Sequence, residues 1–455
     1  MGIERKKLFV YLYGIVAVTI FGICISFNPI NFLLIFTAIG VSVLLFVLLF
    51  VLKEKMLTHL VLLLVLSLFL LPSGSIKEIS LRFDDYLVIF ITLGLFFMFI
   101  YSRQKEFKEI PTPLKWLLVY LLYSLFITLA NLVFGRLTPI YLLFFIKEIQ
   151  YFIYLLVCFY LVRAYIPFES KFRKTFIFAS VVSILWGVYQ LLTGNIRGYY
   201  GIGIISVQNP SQSGILFLLM TLMLLYFSVT TKKKSHEFYL AICSFFAAAM
   251  TLATISRTAI LGIGVVFSLY LGFSLFRRRW NFKKIFIVFY IAILAIPIGY
   301  KIIGSMVDSI FQRFSQFGNS ADFRANIWES FLSNSDTLGL IFGNGKGFMQ
   351  VIVGTFTLKA DNMYVRLLVE IGYVGIVIWS IFILSIIFYG FVNMKHNYNE
   401  AVFLLILTIV FIIISVTQEA YIVSIQGSAY WLLTGFFLGK ISYENIKRKN
   451  IAKHV

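Results

Sequence analysis

The sequence predicts an all-α, polytopic integral membrane protein, and its composition, hydropathy and charge content each support this fold class. The 455 residues are 60% hydrophobic and only 13% charged, whereas soluble domains carry about 25% charged residues. The mean hydropathy is +0.95. A core in water could not bury so much apolar surface, so we expect lipid to solvate most of the chain.

Apolar stretches recur along the chain at lengths that suit a bilayer, because a spanning helix needs about 20 apolar residues. The predicted spans lie at roughly 8–27, 30–52, 56–71, 86–101, 114–134, 140–163, 174–193, 210–230, 237–255, 258–276, 283–304, 362–390, 400–417 and 427–440. Some of these are short, so about 12–14 transmembrane helices are expected. The first stretch has no small-residue cleavage site after it and is predicted to be a span rather than a removed signal.

Lysines and arginines concentrate in alternate loops, from Arg5-Lys6-Lys7 at the N-terminus to the tail that begins at Lys440. The positive-inside rule therefore predicts that both termini are cytoplasmic. The chain then divides into an N-terminal transmembrane bundle at 1–304, a long extracytoplasmic loop at 305–361, and C-terminal helices with a cytoplasmic tail at 362–455.

The charge and the metal-binding residue types exclude some function classes. A net charge of +20 would suggest nucleic acid in a soluble protein, but here loop lysines and arginines set topology, so no nucleic-acid partner is expected. Cys24, Cys158 and Cys243 lie inside apolar stretches, and the four histidines are scattered. Neither set has metal-ligand spacing, so we expect no metal and no cofactor.

Two arginines lie in predicted outer turns. Arg197 is in the glycine-containing loop 194–201, before a predicted turn at Asn209-Pro210; taken alone, it is most simply a solvated loop arginine. Arg257 lies where two apolar runs are joined by almost nothing, so it sits at the membrane edge or below it. A charge there is costly unless it is paired or faces a polar cavity, which favours a functional role over a snorkelling one.

The long loop contains one predicted helix, with Ser320 as its N-cap. Its apolar face is formed by Phe323, Ile327 and Phe331. Arg324 and Trp328 lie one turn apart on another face, close enough for a cation–π contact. The alternative for Arg324 is a local pair with Asp322, which would contribute little stability.

A second charged region begins at Asp361 and Asn362, which are both good N-cap residues. Arg366 and Glu370 follow at i, i+4 spacing inside the apolar span, where they are expected to neutralise each other in an architectural role. Lys147-Glu148 in an earlier span differs, because adjacent residues point in different directions and each therefore needs another partner.

These residue types suit one chemistry. Arginine guanidinium groups bind phosphate oxygens bidentately, and a lipid pyrophosphate is the natural anion at this depth. Arginines would stabilise the charge that develops on such a leaving group, while a carboxylate removes a proton from an attacking hydroxyl. The pattern predicts glycosyl transfer from a lipid-linked donor at the outer surface.

Four motifs in order resemble the O-antigen ligase and polymerase superfamily, in its Wzy-type polymerase branch. They are Arg197-Gly198 to Asn209-Pro210, Ser256-Arg257-Thr258-Ala259-Ile260-Leu261, Arg324 to Trp328, and Asp361 to Gly375 with Asn362, Tyr364, Leu368, Glu370, Gly372 and Gly375 in register. The resemblance covers the chain from about Arg197 to its end.

The resemblance implies a metal-independent enzyme of the bacterial cytoplasmic (inner) membrane. It would polymerise undecaprenyl-pyrophosphate-linked oligosaccharide repeat units into a capsular, exopolysaccharide or O-antigen-like polymer, with a flippase and a chain-length regulator of the same pathway as partners. The implied roles are pyrophosphate binding for Arg197 and Arg257, further substrate contacts for Arg324, Asn362 and Tyr364, a base at Asp361, and orientation by Arg366, Glu370 and Trp328.

Ligases of the family have a histidine where this chain has Asp361, which favours a polymerase and leaves open whether Asp361 is the base or only caps and orients the helix. A ligase that moves glycan onto another acceptor is the alternative within the superfamily. Alternatives from other classes are a flippase for lipid-linked oligosaccharides and a scaffolding subunit. A flippase should show charges along a path through the bilayer and repeat-like halves, whereas the motif charges here lie at one face.

Overall fold

The computed structural model describes residues 54–71, 83–101, 110–165, 167–193, 202–207, 209–276, 317–349, 361–419, 421 and 425–452. Their helices are α1 (Glu54–Leu70), α2 (Phe83–Tyr101), α3 (Thr112–Val133), α4 (Leu142–Ala164), α5 (Pro167–Thr193), α6 (Pro210–Thr230), α7 (Lys234–Ala253), α8 (Arg257–Phe276), α9 (Phe317–Ser333), α10 (Thr337–Phe342), α11 (Met363–Asn393), α12 (Tyr398–Ile414) and α13 (Ile425–Ala452). Within these ranges no β-strand occurs, and the only strand-like pairing is an isolated bridge between Ile204 and Val207. The all-α prediction is confirmed.

The helices also confirm a polytopic membrane protein. The predicted spans 8–27, 30–52 and 283–304 lie outside the described residues, and each of the others coincides with a helix. Seven helices in the described part of the chain are long and apolar enough to cross a membrane. Large apolar side chains such as Phe126, Leu192 and Phe388 are well exposed on the bundle, as expected of a surface that faces lipid tails rather than water.

Small residues bring two central helices into close contact. A Cβ added at Gly435 of α13 would lie 2.2 Å from the Leu155 carbonyl oxygen of α4, and one at Gly439 would lie 2.7 Å from the Phe159 oxygen. Glycines at this four-residue spacing let membrane helices approach backbone to backbone, which increases van der Waals contact. The α4–α13 pair therefore forms a tightly packed centre for the bundle.

The two ends of the bundle can be told apart by their polar contacts. At the end where α8 begins, the Arg257 end, the Ser206 hydroxyl donates to the Leu68 carbonyl at 2.7 Å. At the opposite end, the Lys440 end, Lys440 pairs with Glu169, and the Tyr226 hydroxyl donates to Glu400 at 3.2 Å. In the part of the chain that the structure describes, each of these contacts joins regions that were predicted to share a side of the membrane.

The long segment after α8 departs from the sequence prediction in two ways. Its helix α9 begins at Phe317, so Ser320 lies inside the helix and the prediction that it caps the helix was wrong. A single capping preference, worth about 1 kcal/mol, does not fix a helix start when the preceding residues can also be helical. Furthermore, residues 343–347 of this segment are all buried, so part of the predicted loop enters the bundle.

Candidate functional site

The turn before Arg257 is tight and strained. Residues 254–256 alone connect α7 to α8, and Ile255 has a φ of 52°, a left-handed conformation that β-branched residues rarely adopt. Gly214 of α6 makes room for the turn, because a Cβ there would lie 2.6 Å from both Thr254 Oγ1 and Ala259 Cβ. The helix therefore starts at a fixed point in the fold.

Arg257 is the first residue of α8 and is partly exposed. Helix N-termini carry a partial positive charge, so a cation in this position is electrostatically unfavourable for the helix itself. Helix stability therefore does not account for the arginine. A positive side chain at a positive helix end instead creates a place where an anion is stabilised.

Asn362, rather than Asp361, caps α11. The Asn362 side-chain oxygen accepts the backbone N–H groups of Tyr364 at 2.8 Å and Val365 at 3.1 Å. Asp361 precedes the cap with a φ of 49°, a conformation that aspartate tolerates better than most residues. The capping role that the sequence allowed for Asp361 thus belongs to its neighbour.

The starts of α8 and α11 meet at the C-terminal end of α12. The hydroxyl oxygens of Thr258 and Thr417 lie 2.9 Å apart, and the Met363 N–H donates to the Ser415 carbonyl at 2.9 Å. We call this meeting point the α12 junction: Arg257, Thr258, Asp361, Asn362, Met363, Ser415 and Thr417. It brings an arginine and two helix N-termini, which suit an anionic substrate, to the same end of the bundle as the Asp361 carboxylate.

Tyr364 also contacts α12 at the junction. Its hydroxyl donates to the Ile412 carbonyl at 2.9 Å, and the side chain is partly buried. The sequence analysis expected Tyr364 to contact substrate, and the contact seen here is with the helix. It fixes the first turn of α11 against α12.

Directly behind the junction lies a buried ionic network. Arg366 Nε is 3.2 Å from Glu370, which is the predicted i, i+4 pair, and Arg366 Nη1 is 2.7 Å from Glu419. All three side chains are at most 4% exposed. The guanidinium therefore joins α11 to the segment that follows α12, a contact that local sequence spacing does not reveal.

Helix α11 is interrupted at Gly372, which has φ 67° and ψ −178°. The carbonyls left without helical partners are met by the loop 343–347: the Asn344 N–H donates to Val369 at 3.2 Å and the Gly345 N–H to Glu370 at 2.8 Å. Irregular backbone at membrane depth is tolerated where protein buries it and satisfies its polar groups. The loop and the break thus depend on each other.

The loop carries a buried lysine that the sequence analysis did not single out. Lys346 is 1% exposed, and its ammonium lies 2.9 Å from Glu148 and 3.6 Å from Glu370. The Tyr120 hydroxyl is 3.2 Å away. Lys346 is thus the partner that Glu148 was expected to need, while Lys147 pairs with Asp85. The available sequence signal was a lysine placed between glycines in 343–347.

Helix α9 is held against the first half of α11. Trp328 packs on a small core together with Phe331, Met349 and Val369. Arg324 lies on this helix, but its side chain is outside the described residues, and so is the whole of Arg197. The structure therefore brings the helix starts that carry Arg257, Asp361 and Asn362 to the same end of α12. It also packs the helix of Arg324 against the first half of α11.

An exposed ion pair fixes the next helix, α10. Arg136 lies 2.9 Å from Asp336, whose side chain also accepts the Gly339 N–H at 2.7 Å as an N-cap. The pKa of the Asp336 carboxyl is held below its usual value mainly by the backbone hydrogen bond from Gly339, and further by the Arg136 guanidinium.

In the ranges that the structure describes, no group of three or more His, Cys, Asp and Glu side chains is arranged to hold a metal ion.

Comparison with known proteins finds a family match that covers part of this site. Residues 242–380 match a family model described as O-antigen ligase. The matched range includes Arg257, Arg324, Asp361, Arg366 and Glu370, and Arg197 precedes it. A search of curated proteins found no match.

Proposed function

We propose that this chain, which carries a domain of the O-antigen ligase and polymerase superfamily at residues 242–380, is a membrane glycosyltransferase. It would polymerise lipid-linked repeat units. The donor would be a growing glycan on undecaprenyl pyrophosphate, and the acceptor a new lipid-linked oligosaccharide. The product would be a capsular, exopolysaccharide or O-antigen-like polymer.

In this reaction a hydroxyl of the acceptor sugar attacks the anomeric carbon of the donor, and the bond from that carbon to the pyrophosphate oxygen breaks. Arg257 and Arg197 bind the pyrophosphate and stabilise its growing negative charge. Asp361 accepts the hydroxyl proton. Arg324 contacts the substrates, while Asn362 and Tyr364 act on them indirectly, by holding the first turn of α11 beside Asp361.

The α12 junction is the observation that carries the proposal. Arg257 begins α8, and Asp361 lies just before the N-cap of α11. The two residues belong to separate motifs, and both helices meet the end of α12. A pyrophosphate next to Arg257 would also face the N-terminus of α8. Arg366 and Glu370 lie behind Asp361 and would hold its helix, and Trp328 would orient α9.

A ligase is the second candidate, because the matching family model is described as O-antigen ligase. The same residues would then transfer finished glycan onto another acceptor. The chemistry at the pyrophosphate is unchanged, so the two candidates differ only in the acceptor hydroxyl.

The proposal includes a location and an orientation. The chain would lie in a bacterial cytoplasmic membrane with both termini in the cytoplasm, which places the Arg257 end and the α12 junction outside. A flippase would deliver the lipid-linked units to that side, and a chain-length regulator would act on the product.

The test is deletion of the gene followed by complementation. Single lipid-linked repeats that accumulate while the polymer ladder disappears would support a polymerase. Long polymer left on undecaprenyl pyrophosphate would mean a ligase, and repeats trapped on the cytoplasmic leaflet would mean a flippase and contradict the proposal.

In the complemented strain, Arg257→Ala should lower polymer formation about 10²–10³-fold, the usual effect of removing one charge-stabilising donor. Arg257→Lys keeps the charge and loses the bidentate fork, so its activity should be intermediate. Lys174→Ala, at an exposed position on α5, is the control. Normal polymer length in Arg257→Ala, at normal membrane levels, would reject the assignment.

A further inference from the structure

Lys346 joins three parts of the chain inside the bundle. Its ammonium contacts Glu148 of α4 at 2.9 Å and Glu370 of α11 at 3.6 Å, while its backbone N–H donates to Thr128 of α3 at 3.1 Å. Glu148 also accepts from the hydroxyls of Tyr120 and Ser124. The lysine and its main partner are therefore fully enclosed and hydrogen-bonded.

A buried ion pair is not needed to hold a loop in a bundle by stability alone. Removing charges from water is expensive, and a buried ion pair typically does no better for stability than apolar side chains of similar size. Separating the two buried charges is strongly unfavourable, because each would be left without its partner, so the pair holds the loop where the charges meet. The contact therefore fixes position more than it adds stability.

The Lys346 contact is connected to the α12 junction through Glu370 and Arg366. Glu370, which faces Lys346, is also bound by Arg366, and the Arg366 N–H donates to the Asn362 carbonyl at 3.2 Å. Through its other nitrogen, Arg366 holds Glu419, two residues beyond Thr417 of the junction. The charge contacts thus run from Lys346 through Glu370 and Arg366 to Glu419. The backbone of α11 and of residues 415–419 connects them to the two sides of the junction.

We propose that Lys346, paired with Glu148, is a positioning residue for the glycosyl transfer: it sets the place of Glu370 and Arg366, and through them that of Asp361 and Asn362. This inference rests on the proposed function. It adds a residue that none of the four motifs contains and assigns it no contact with substrate.

The experiment uses the full chain in proteoliposomes with purified lipid-linked repeat units. Lys346→Met should lower kcat about a hundredfold, the effect that an ångström-scale misplacement can have, and Lys346→Arg should restore much of it. Lys174→Met, at an exposed position, is the matched control.

The double variant Lys346→Met with Glu148→Gln separates positioning from stability. It leaves no uncompensated carboxylate on α4, so its melting temperature should recover, but Glu370 still lacks the lysine and kcat should stay low. Recovery of both would mean that Lys346 is only structural, and unchanged kcat in Lys346→Met would overturn the inference directly. If the Lys346→Met protein does not accumulate, the kcat and melting temperature of the double variant decide between a positioning and a purely structural role.

A second measurement does not depend on activity. Ser330 on α9 and Tyr373 on α11 are both exposed positions. In a background with the native cysteines replaced, spin labels at Ser330→Cys and Tyr373→Cys report the distance between α9 and α11. The distance distribution should broaden in the double variant. An unchanged, narrow distribution would overturn the inference, whereas a wild type that makes no polymer would overturn only the proposed function.

Discussion

At the scale of single residues, backbone strain marks the site. In the part of the chain that the structure describes, Ile255 and Asp361 are the non-glycine residues with positive φ, at 52° and 49°. One lies two residues before Arg257, and the other is itself a candidate for the base. Strained backbone of this kind costs about 1–3 kcal/mol and tends to persist at functional sites. The sequence could suggest the side chains but not this conformation.

Asp361→Asn separates the carboxylate from the backbone role of Asp361, because asparagine also tolerates the left-handed conformation. If Asp361 is the base, this change should lower turnover about 10²–10⁴-fold, the usual contribution of general-base catalysis, with little change in melting temperature. Asp361→His restores a proton acceptor and should recover activity. Full activity of Asp361→Asn, measured with lipid-linked repeats, would show that the base lies elsewhere.

At the scale of helices, local signals predicted some helix ends, failed at the start of α9, and missed the break in α11. Asn209 caps α6 and accepts the Ser211 N–H at 3.0 Å, and the helix begins at the predicted Asn209-Pro210 turn, because a helix start depends on near neighbours. The break in α11 depends on the loop 343–347, which is close to it only in the fold. Hydropathy alone describes α11 as one continuous span.

Gly372→Ala tests the break. The glycine has a φ of 67° in a region open essentially to glycine alone, and a Cβ there would lie 2.5 Å from the Gly343 nitrogen. We expect a loss of at least about 1–3 kcal/mol from strain, seen as a lower melting temperature in detergent. Gly264→Ala in α8 is the control, since a Cβ there meets nothing within 4 Å and helical alanine is slightly favoured. Equal melting temperatures would contradict the strained break.

At the scale of the whole molecule, the sequence could predict which loops share a side but not what they enclose. Alternating charge placed Arg257 and Asp361 on one side, and the α12 junction brings their helices together. The Lys346 network was not predictable in this way, because Tyr120 is 226 residues from Lys346 in sequence. Pairing across such a distance is decided by helix packing, and neither hydropathy nor loop charge carries that information.

The grouping of contacts at two ends leads to a prediction of orientation. In a variant with Cys24, Cys158 and Cys243 replaced, Ser333→Cys at the Arg257 end and Ser170→Cys at the Lys440 end are both at exposed positions. Because the positive loops favour the cytoplasm, a membrane-impermeant maleimide should label the Ser333→Cys protein in intact cells and the Ser170→Cys protein only after the membrane is opened. The reverse pattern would place the α12 junction in the cytoplasm, where a polymerase could not act on units that have already been flipped.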